Sequence, residues 1–124
     1  MSNNRTKTHK DLEIWNKGID LVMEIYKSTK NFPDEEKYGL VSQMRRASIS
    51  YPSNISEGAA RNSNAEYIRY VYIALGSLSE LETQTIISEK LGYINNTENI
   101  LENIGILRKQ SHKFIKYLKS LSNV

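Results

Sequence analysis

The chain has 124 residues, of which 39% are hydrophobic and 25% are charged, and it contains no cysteine. A chain of this length suits one domain with a single core, and the lack of cysteine excludes a disulfide framework, a thiolate metal site and a cysteine nucleophile. The net charge of +3 is unevenly distributed, because residues 1–10 carry +3, residues 105–124 carry +5 and the residues between them carry −5.

The first ten residues, MSNNRTKTHK, have no apolar stretch. We expect a basic flexible N-terminal arm, residues 1–10, ahead of a bundle domain of residues 11–124, with neither a signal peptide nor a membrane anchor. No window approaches the roughly 18 consecutive apolar residues of a membrane span, so we expect a cytoplasmic protein. Its basic ends favour a polyanionic partner, although the simpler interpretation is that the charge serves solubility alone.

The first predicted helix runs from about Leu12 to Lys30, with Asp11 as its N-cap. Its apolar residues recur every three or four positions and predict one buried stripe, widened by Leu21 and Ile25: Leu12, Trp15, Ile19, Val22, Tyr26 and Thr29. Residues 32–36, which include a proline followed by acids, end this helix and start the next.

The second predicted helix carries a polar stripe beside its apolar one. Pro52 falls inside it and removes a backbone donor, so we expect a helix bent at Pro52, with two shorter helices as the alternative. The polar side chains recur at helical spacing along one side: Gln43, Arg46, Ser50, Asn54, Glu57 and Arg61. Amide, guanidinium, hydroxyl and carboxylate groups in one row are suited to directed contacts as well as to packing.

The third predicted helix has clear local boundaries. Ser63 and Glu66 have the spacing of a capping box, and Gly92 is a natural C-cap after a helix that ends near Leu91. Within the helix, Gly76 has no side chain and predicts a close helix crossing.

The fourth predicted helix begins near Thr97. Its buried face is marked by apolar and small residues at helical spacing: Ile100, Ile104, Leu107, Ser111, Phe114, Ile115, Leu118 and Leu121. Four amphipathic helices with short connections predict an all-α, up-down-up-down four-helix bundle.

Two neighbouring arginines are assigned different roles. Arg45 and Arg46 diverge by about 100° around a helix, so both cannot lie on the polar stripe. We expect Arg46 to be hydrogen-bonded and ion-paired with the stripe, within the bundle or across a subunit contact, and Arg45 to point outward as a phosphate contact. The alternative is that both are ordinary surface arginines.

Basic residues lie opposite the apolar face of the fourth helix: Lys109, His112, Lys113, Lys116 and Lys119. They predict contacts with RNA phosphates, whereas the alternative is a solvated face that complements the negative end of the helix dipole. The full set of predicted nucleic-acid contacts is Arg45, Arg61, Lys109, Lys113, Lys116 and Lys119.

Motifs of catalysis are not evident. The sequence has no P-loop and no G-x-G-x-x-G, and neither His9 nor His112 follows a glutamate at the spacing of a di-metal bundle site. We therefore expect no enzyme activity, no catalytic residue, no metal and no cofactor.

Within residues 43–61, the pattern Q-x-R-R-A-x-x-S is followed by P-S-N-I-x-E-G and an arginine. It resembles the small bacterial four-helix-bundle proteins encoded by intervening sequences in 23S ribosomal RNA genes, a family that includes the accessory variability determinant of diversity-generating retroelements. Departures are Tyr51 and Ser56, where the family usually has a smaller aliphatic residue and alanine. The resemblance spans roughly residues 12–93 and includes further positions: Phe32, Pro33, Glu36, Glu66, Tyr67, Ile73, Ala74, Gly76, Ser77, Glu80, Leu81 and Glu82.

The resemblance implies a cyclic homo-oligomer, commonly a homopentamer. We therefore expect a non-catalytic bundle that self-associates and presents basic surface to RNA, or to an RNA-processing partner such as a reverse transcriptase. The alternative is a structural or protein-interaction adaptor that does not bind nucleic acid.

Overall fold

The computed structural model describes residues 9–122, which form four long α-helices joined by short connections. These are α1 (His9–Thr29), α2 (Leu40–Ala59), α3 (Asn64–Lys90) and α4 (Glu98–Ser122), and a 3₁₀ turn at Asp34–Glu36 precedes α2. Contacts join α1 to α2, α2 to α3, α3 to α4 and α4 back to α1. The predicted all-α four-helix bundle is confirmed.

The start of α1 differs from the prediction. Residues 1–8 of the predicted arm lie outside the described residues, while His9 and Lys10 form the first turn of α1. Asp11 is therefore inside the helix and is not its N-cap. Its buried carboxylate instead accepts a hydrogen bond from the Tyr67 hydroxyl, with an Oδ2–Oη distance of 3.1 Å.

The boundaries of α3 follow from local chemistry, as predicted. The Ser63 hydroxyl accepts a hydrogen bond from the Glu66 backbone N–H at 3.1 Å and so satisfies one of the free donors of the first turn. After the helix, Gly92 has a φ of +81°, which glycine adopts without strain. The Tyr93 N–H then donates to the Ser88 carbonyl at 2.9 Å, as in a Schellman motif.

The second helix is continuous. It includes Pro52, which is buried, so the alternative of two shorter helices is wrong, and the bend stays a prediction. Its first turn is fixed from outside, because the Leu40 N–H donates to Glu36 Oε1 at 3.2 Å. The helix starts at Leu40, whereas the sequence predicted a start within the acidic residues 34–36.

The buried face of α1 includes Leu21, Ile25 and Thr29 of the predicted stripe, but it is rotated away from Trp15 and Tyr26 and takes in Ile14. The core takes Ile14, Leu21 and Ile25, whereas Trp15 is 37% exposed and Tyr26 is 38% exposed. The apolar stripe of α1 is wider than the surface that the bundle buries. The buried part is the part that α2 approaches closely.

Gly18 is the point of that approach. A Cβ there would lie 2.8 Å from Cδ2 of Tyr51, so the tyrosine ring rests against the bare helix backbone. Tyr51 is fully buried and its hydroxyl lies 2.7 Å from that of Ser111 on α4. The residue that departs from the family pattern thus has its own packing partners on two other helices.

All four helices meet at a second buried tyrosine, Tyr67 of α3. Besides its bond to Asp11 of α1, its ring packs edge-on against Phe114 of α4, with centroids 5.1 Å apart. From α2, Gly58 lies so close that a Cβ would be 2.6 Å from Tyr67 Cδ1. We call this group of four residues the four-helix junction.

Candidate nucleic-acid interface

A basic surface lies along the outer side of α4. The side chains of Lys109, His112, Lys113, Lys116 and Lys119 are all exposed, as the helical spacing predicted. We call these five residues the α4 basic face. A shallow groove of about 430 Å³ runs along it and is lined by Gly105, Arg108, Lys109, His112, Lys113 and Lys116.

The positive charge of this face is largely uncompensated. Among the described residues, none of the four lysines forms an ion pair, and no carboxylate lines the groove. Arg108 is the exception, since its guanidinium donates to Glu82 Oε1 at 2.8 Å and fastens α4 to α3. A row of unpaired ammonium groups attracts polyanions.

Sequence reasoning missed two residues of this groove. Gly105 leaves open space above the helix, since a Cβ there would meet nothing within 4 Å, and Arg108 borders the same opening. Both follow the three- and four-residue spacing of the lysines, which is the signal that could have identified them.

Arg45 is turned inward and not outward as predicted, and the pairing predicted for Arg46 within the bundle is absent among the described residues, while its pairing across a subunit contact stays a prediction. Arg45 is half-buried and turns toward α1: its Nε donates to Thr29 Oγ1 at 3.0 Å, and its guanidinium lies 4.4 Å from the ring centroid of Tyr26. Arg46 is exposed and has no ion pair with Glu57 or any other described residue. The reason is that Arg45 faces the α1–α2 contact, where the buried hydroxyl of Thr29 offers an acceptor.

Replacing the two arginines separately tests this assignment. Arg45→Ala should lower the free energy of unfolding by about 1.5–3 kcal/mol, because it removes hydrogen bonds from a charged donor and a cation–π contact. Arg46→Ala should change it by less than about 0.5 kcal/mol, as expected for an exposed side chain without partners. Urea unfolding at two protein concentrations measures both losses, because a stability that depends on concentration would show a contribution from association between copies. A smaller loss for Arg45→Ala than for Arg46→Ala would reverse the assignment.

The middle of the polar stripe is used to join α2 to α3. Asn54 Nδ2 donates to the carbonyl and the hydroxyl of Ser50, at 2.8 and 3.0 Å. The Ser77 hydroxyl of α3 donates to Ser50 Oγ at 2.8 Å. Ser50 is therefore the stripe residue that bonds to α3, Asn54 bonds to Ser50 within α2, and Gln43 and Arg46 are exposed. The structural role of the whole stripe stays a prediction.

The last part of the stripe forms a separate cluster. Arg61 Nη2 contacts Glu57 Oε2 at 2.6 Å and the Tyr70 hydroxyl at 2.7 Å, and its guanidinium lies 4.9 Å from the Tyr70 ring centroid. The predicted phosphate contact Arg61 is therefore already engaged by a carboxylate. Its positive charge is less available to RNA than that of the α4 lysines.

Other kinds of site have no counterpart in the described part of the chain. No group of three or more His, Asp or Glu side chains is placed to hold a metal among residues 9–122. None of the described helices combines the length and apolar character needed to cross a membrane.

Comparison with known proteins identifies a family and solved structures of similar fold. A family described as 23S rRNA-intervening sequence protein matches residues 10–119, which include all of the α4 basic face. A crystal structure of a protein of unknown function from the S23 ribosomal protein family of Bacteroides thetaiotaomicron VPI-5482 superposes with a TM-score of 0.77. It is 25% identical in sequence, and the match covers 86% of this chain and 98% of that one. No curated protein matches the chain.

Proposed function

The chain belongs to the family of 23S rRNA-intervening sequence proteins, and from this membership we propose that it is a non-catalytic, self-associating bundle that binds RNA through the α4 basic face. The observation that carries the proposal is the row of lysines, unpaired with any described carboxylate, along the groove at Gly105. The family description refers to ribosomal RNA. RNA is a polyanion, and its phosphates would be attracted to the row of lysines on α4.

The chemistry of the face favours the RNA backbone over the bases. Lysine ammonium groups bind phosphate as point charges. Among the residues that line the groove, His112 and Arg108 have side chains that can stack on a base, and Arg108 is held by its bond to Glu82. The missing side chain at Gly105 lets a phosphate come closer to the helix than its neighbours would allow. Binding is therefore expected to depend on salt and little on sequence.

Self-association would strengthen such weak sites. Apolar side chains remain exposed on all four helices, among them Met23, Ile49, Ile73 and Ile106. Where such side chains form one continuous patch, they mark contact sites between proteins. In an oligomer the basic faces repeat, and linked weak sites bind a long polyanion far more tightly than one site does.

Charge reversal on α4 tests the proposal. The triple variant Lys109→Glu, Lys113→Glu and Lys116→Glu should bind a single-stranded RNA at least about 100-fold more weakly in low salt, since three attractive charges facing phosphates become repulsive. The slope of log affinity against log salt should become less steep by about 2, at roughly 0.7 for each phosphate that the protein no longer neutralises. Fluorescence anisotropy over a salt series measures both quantities.

A control with the same change in net charge separates this face from charge in general. Lys27, Lys30 and Lys90 are exposed at the opposite end of the bundle, and changing all three to glutamate should leave affinity within about threefold. Equal weakening in both triple variants would contradict a defined interface. No RNA binding by the unchanged protein would overturn the proposal and favour an adaptor that contacts only proteins.

A further inference from the structure

Arg108 differs from the other cations that line the groove on α4. Its Nη2 donates to Oε1 of Glu82 on α3 at 2.8 Å, whereas the groove lysines have no ion pair with a described residue. The two side chains are 33% and 37% exposed, so this ion pair stands at the edge of the groove, where water and a ligand can reach it.

The ion pair uses only part of what each side chain offers. Among the described residues it is the one hydrogen bond of either side chain, and it joins a single nitrogen to a single oxygen. A guanidinium carries several N–H donors in a planar fork, and a phosphate can accept two of them side by side. Arg108 therefore has the donors to hold a phosphate, but its charge is already compensated by Glu82.

The pair matters more for the groove than for the fold. Ion pairs that are exposed to solvent add little to stability, and α3 and α4 are also joined through the core, where the Tyr67 ring packs against Phe114. A guanidinium and a carboxylate at hydrogen-bond distance, however, largely cancel each other for a phosphate that lies farther away. Arg108 therefore adds little attraction while Glu82 holds it.

Open space for a phosphate lies beside this pair. Gly105 and Arg108 are three residues apart and so lie on the same side of α4, with Lys109 next along the groove. A Cβ at Gly105 would meet nothing within 4 Å. Without the charge of Glu82, a phosphate at this opening would meet the Arg108 fork and the Lys109 ammonium group together.

We propose that Glu82 restrains RNA binding by the α4 basic face, because it holds the Arg108 guanidinium in an ion pair and so keeps one cation of the groove from the phosphates. The proposal rests on the proposed function and deepens it, since it concerns how tightly the same face binds. In the unchanged protein the lysines of the face supply the attraction, and Arg108 is held in reserve.

Glu82→Gln tests the restraint, because glutamine keeps the shape of the side chain and removes its charge. The variant should bind a single-stranded RNA about fivefold more tightly at about 0.1 M salt, since Arg108 becomes available to a phosphate. The slope of log affinity against log salt should become steeper by about 0.7, the value for one more phosphate neutralised on a single strand. Fluorescence anisotropy over a salt series measures both, and unchanged helical circular dichroism shows that the fold is kept.

Two further variants separate the ion pair from charge in general. Glu80→Gln makes the same change in charge on α3, at an exposed residue that lines a different cavity with residues of α2, and should bind RNA within about twofold of the parent. The double variant Glu82→Gln with Arg108→Gln should also stay within about twofold, because it removes two charges that cancel.

Each other result has a distinct meaning. Tighter binding by the double variant would show that Glu82 repels RNA by itself, and weaker binding would show that Arg108 already contacts RNA. Either result, equal tightening in Glu80→Gln, or no tightening in Glu82→Gln would overturn the restraint but leave RNA binding by the lysines standing. A parent protein that does not bind RNA would overturn both proposals.

Discussion

Phe114→Ala should lower the free energy of unfolding by about 3–5 kcal/mol, a large loss for a single core truncation. Phe114 is 2% exposed, and its ring lies edge-on to Tyr67 with centroids 5.1 Å apart and stacked near Tyr117 with centroids 6.2 Å apart. The mutation removes buried apolar surface and two aromatic contacts.

The surroundings of Phe114 are unable to close the resulting cavity. The Tyr67 ring is held by its bond to Asp11 on one side and by the backbone of Gly58 on the other, so it has no room to turn. The cost of a cavity depends on how far its walls relax, and here three helices fix them. A domain of this size is stable by about 5–15 kcal/mol, so the loss is a large share of the total.

Urea unfolding measures the effect as a lower midpoint with an unchanged dependence on urea. Tyr72→Ala is the matched control, because this tyrosine is 47% exposed on α3 and its removal should cost less than about 0.5 kcal/mol. A loss below about 1 kcal/mol for Phe114→Ala would mean that the four-helix junction is loosely packed.

Local signals were the most predictable part of this fold. The caps of α3 depend on a few neighbouring residues, and both Ser63 and Gly92 act as the sequence indicated. The helix count and the antiparallel order depend on periodicity and short connections, which are also local. Such features can be inferred before any tertiary contact is known.

Sequence periodicity did not predict which of two neighbouring residues on a helix points into the bundle. On α1, the predicted stripe was wider than the buried face: Leu21 and Ile25 are buried as predicted, whereas Trp15 and Tyr26 at its edge are exposed, and α2 approaches the helix at Gly18. Arg45 and Arg46 present the same difficulty, because the acceptor on Thr29 that orients Arg45 is 16 positions away in the sequence. Periodicity identifies the apolar side of a helix, but it does not show which other helix packs against that side.

The candidate nucleic-acid interface was also predicted only in part. The lysines of α4 were found because exposure of a charged row opposite an apolar face follows from spacing alone. Its groove was not found, since Gly105 has no side chain and becomes visible only as open space. Likewise, Gly76 was expected to mark a close helix crossing, and within the described residues its position is open, with nothing within 4 Å of a Cβ built there.

The second large effect expected is alkaline unfolding, driven by two tyrosines of the core. Burial raises the pKa of Tyr51, despite the hydrogen bond with Ser111, which lowers it. Burial and then the negative charge of Asp11 raise the pKa of Tyr67, whose hydroxyl donates to that carboxylate. Both rings are fully inaccessible to solvent, so a phenolate has no water to stabilise it in the folded protein.

The direction of the effect follows from proton binding. In the unfolded chain both hydroxyls lose their protons near pH 10, whereas in the folded protein they keep them to higher pH. Their contribution to stability is therefore complete below about pH 10 and is lost as the pH rises above it. The free energy of unfolding should fall by about 1.4 kcal/mol per pH unit for each tyrosine, or about 2.7 for the pair.

Urea unfolding between about pH 8 and pH 11.5 measures this slope, since the range spans the ordinary tyrosine pKa of about 10. Tyr51→Phe should reduce the slope by about 1.4 kcal/mol per pH unit, because phenylalanine has no proton to lose. Tyr93, whose pKa is raised by its hydrogen bond to Glu36, also contributes to the slope of the parent protein. Tyr38→Phe, at a position that is 87% exposed, is the control. The comparison separates titration from packing: removing the hydrogen bond with Ser111 lowers stability equally at every pH below 10, and only a buried titrating hydroxyl changes the slope. A slope near zero in the parent protein would mean that neither tyrosine is held in the closed core that joins α2 and α3 to their neighbours.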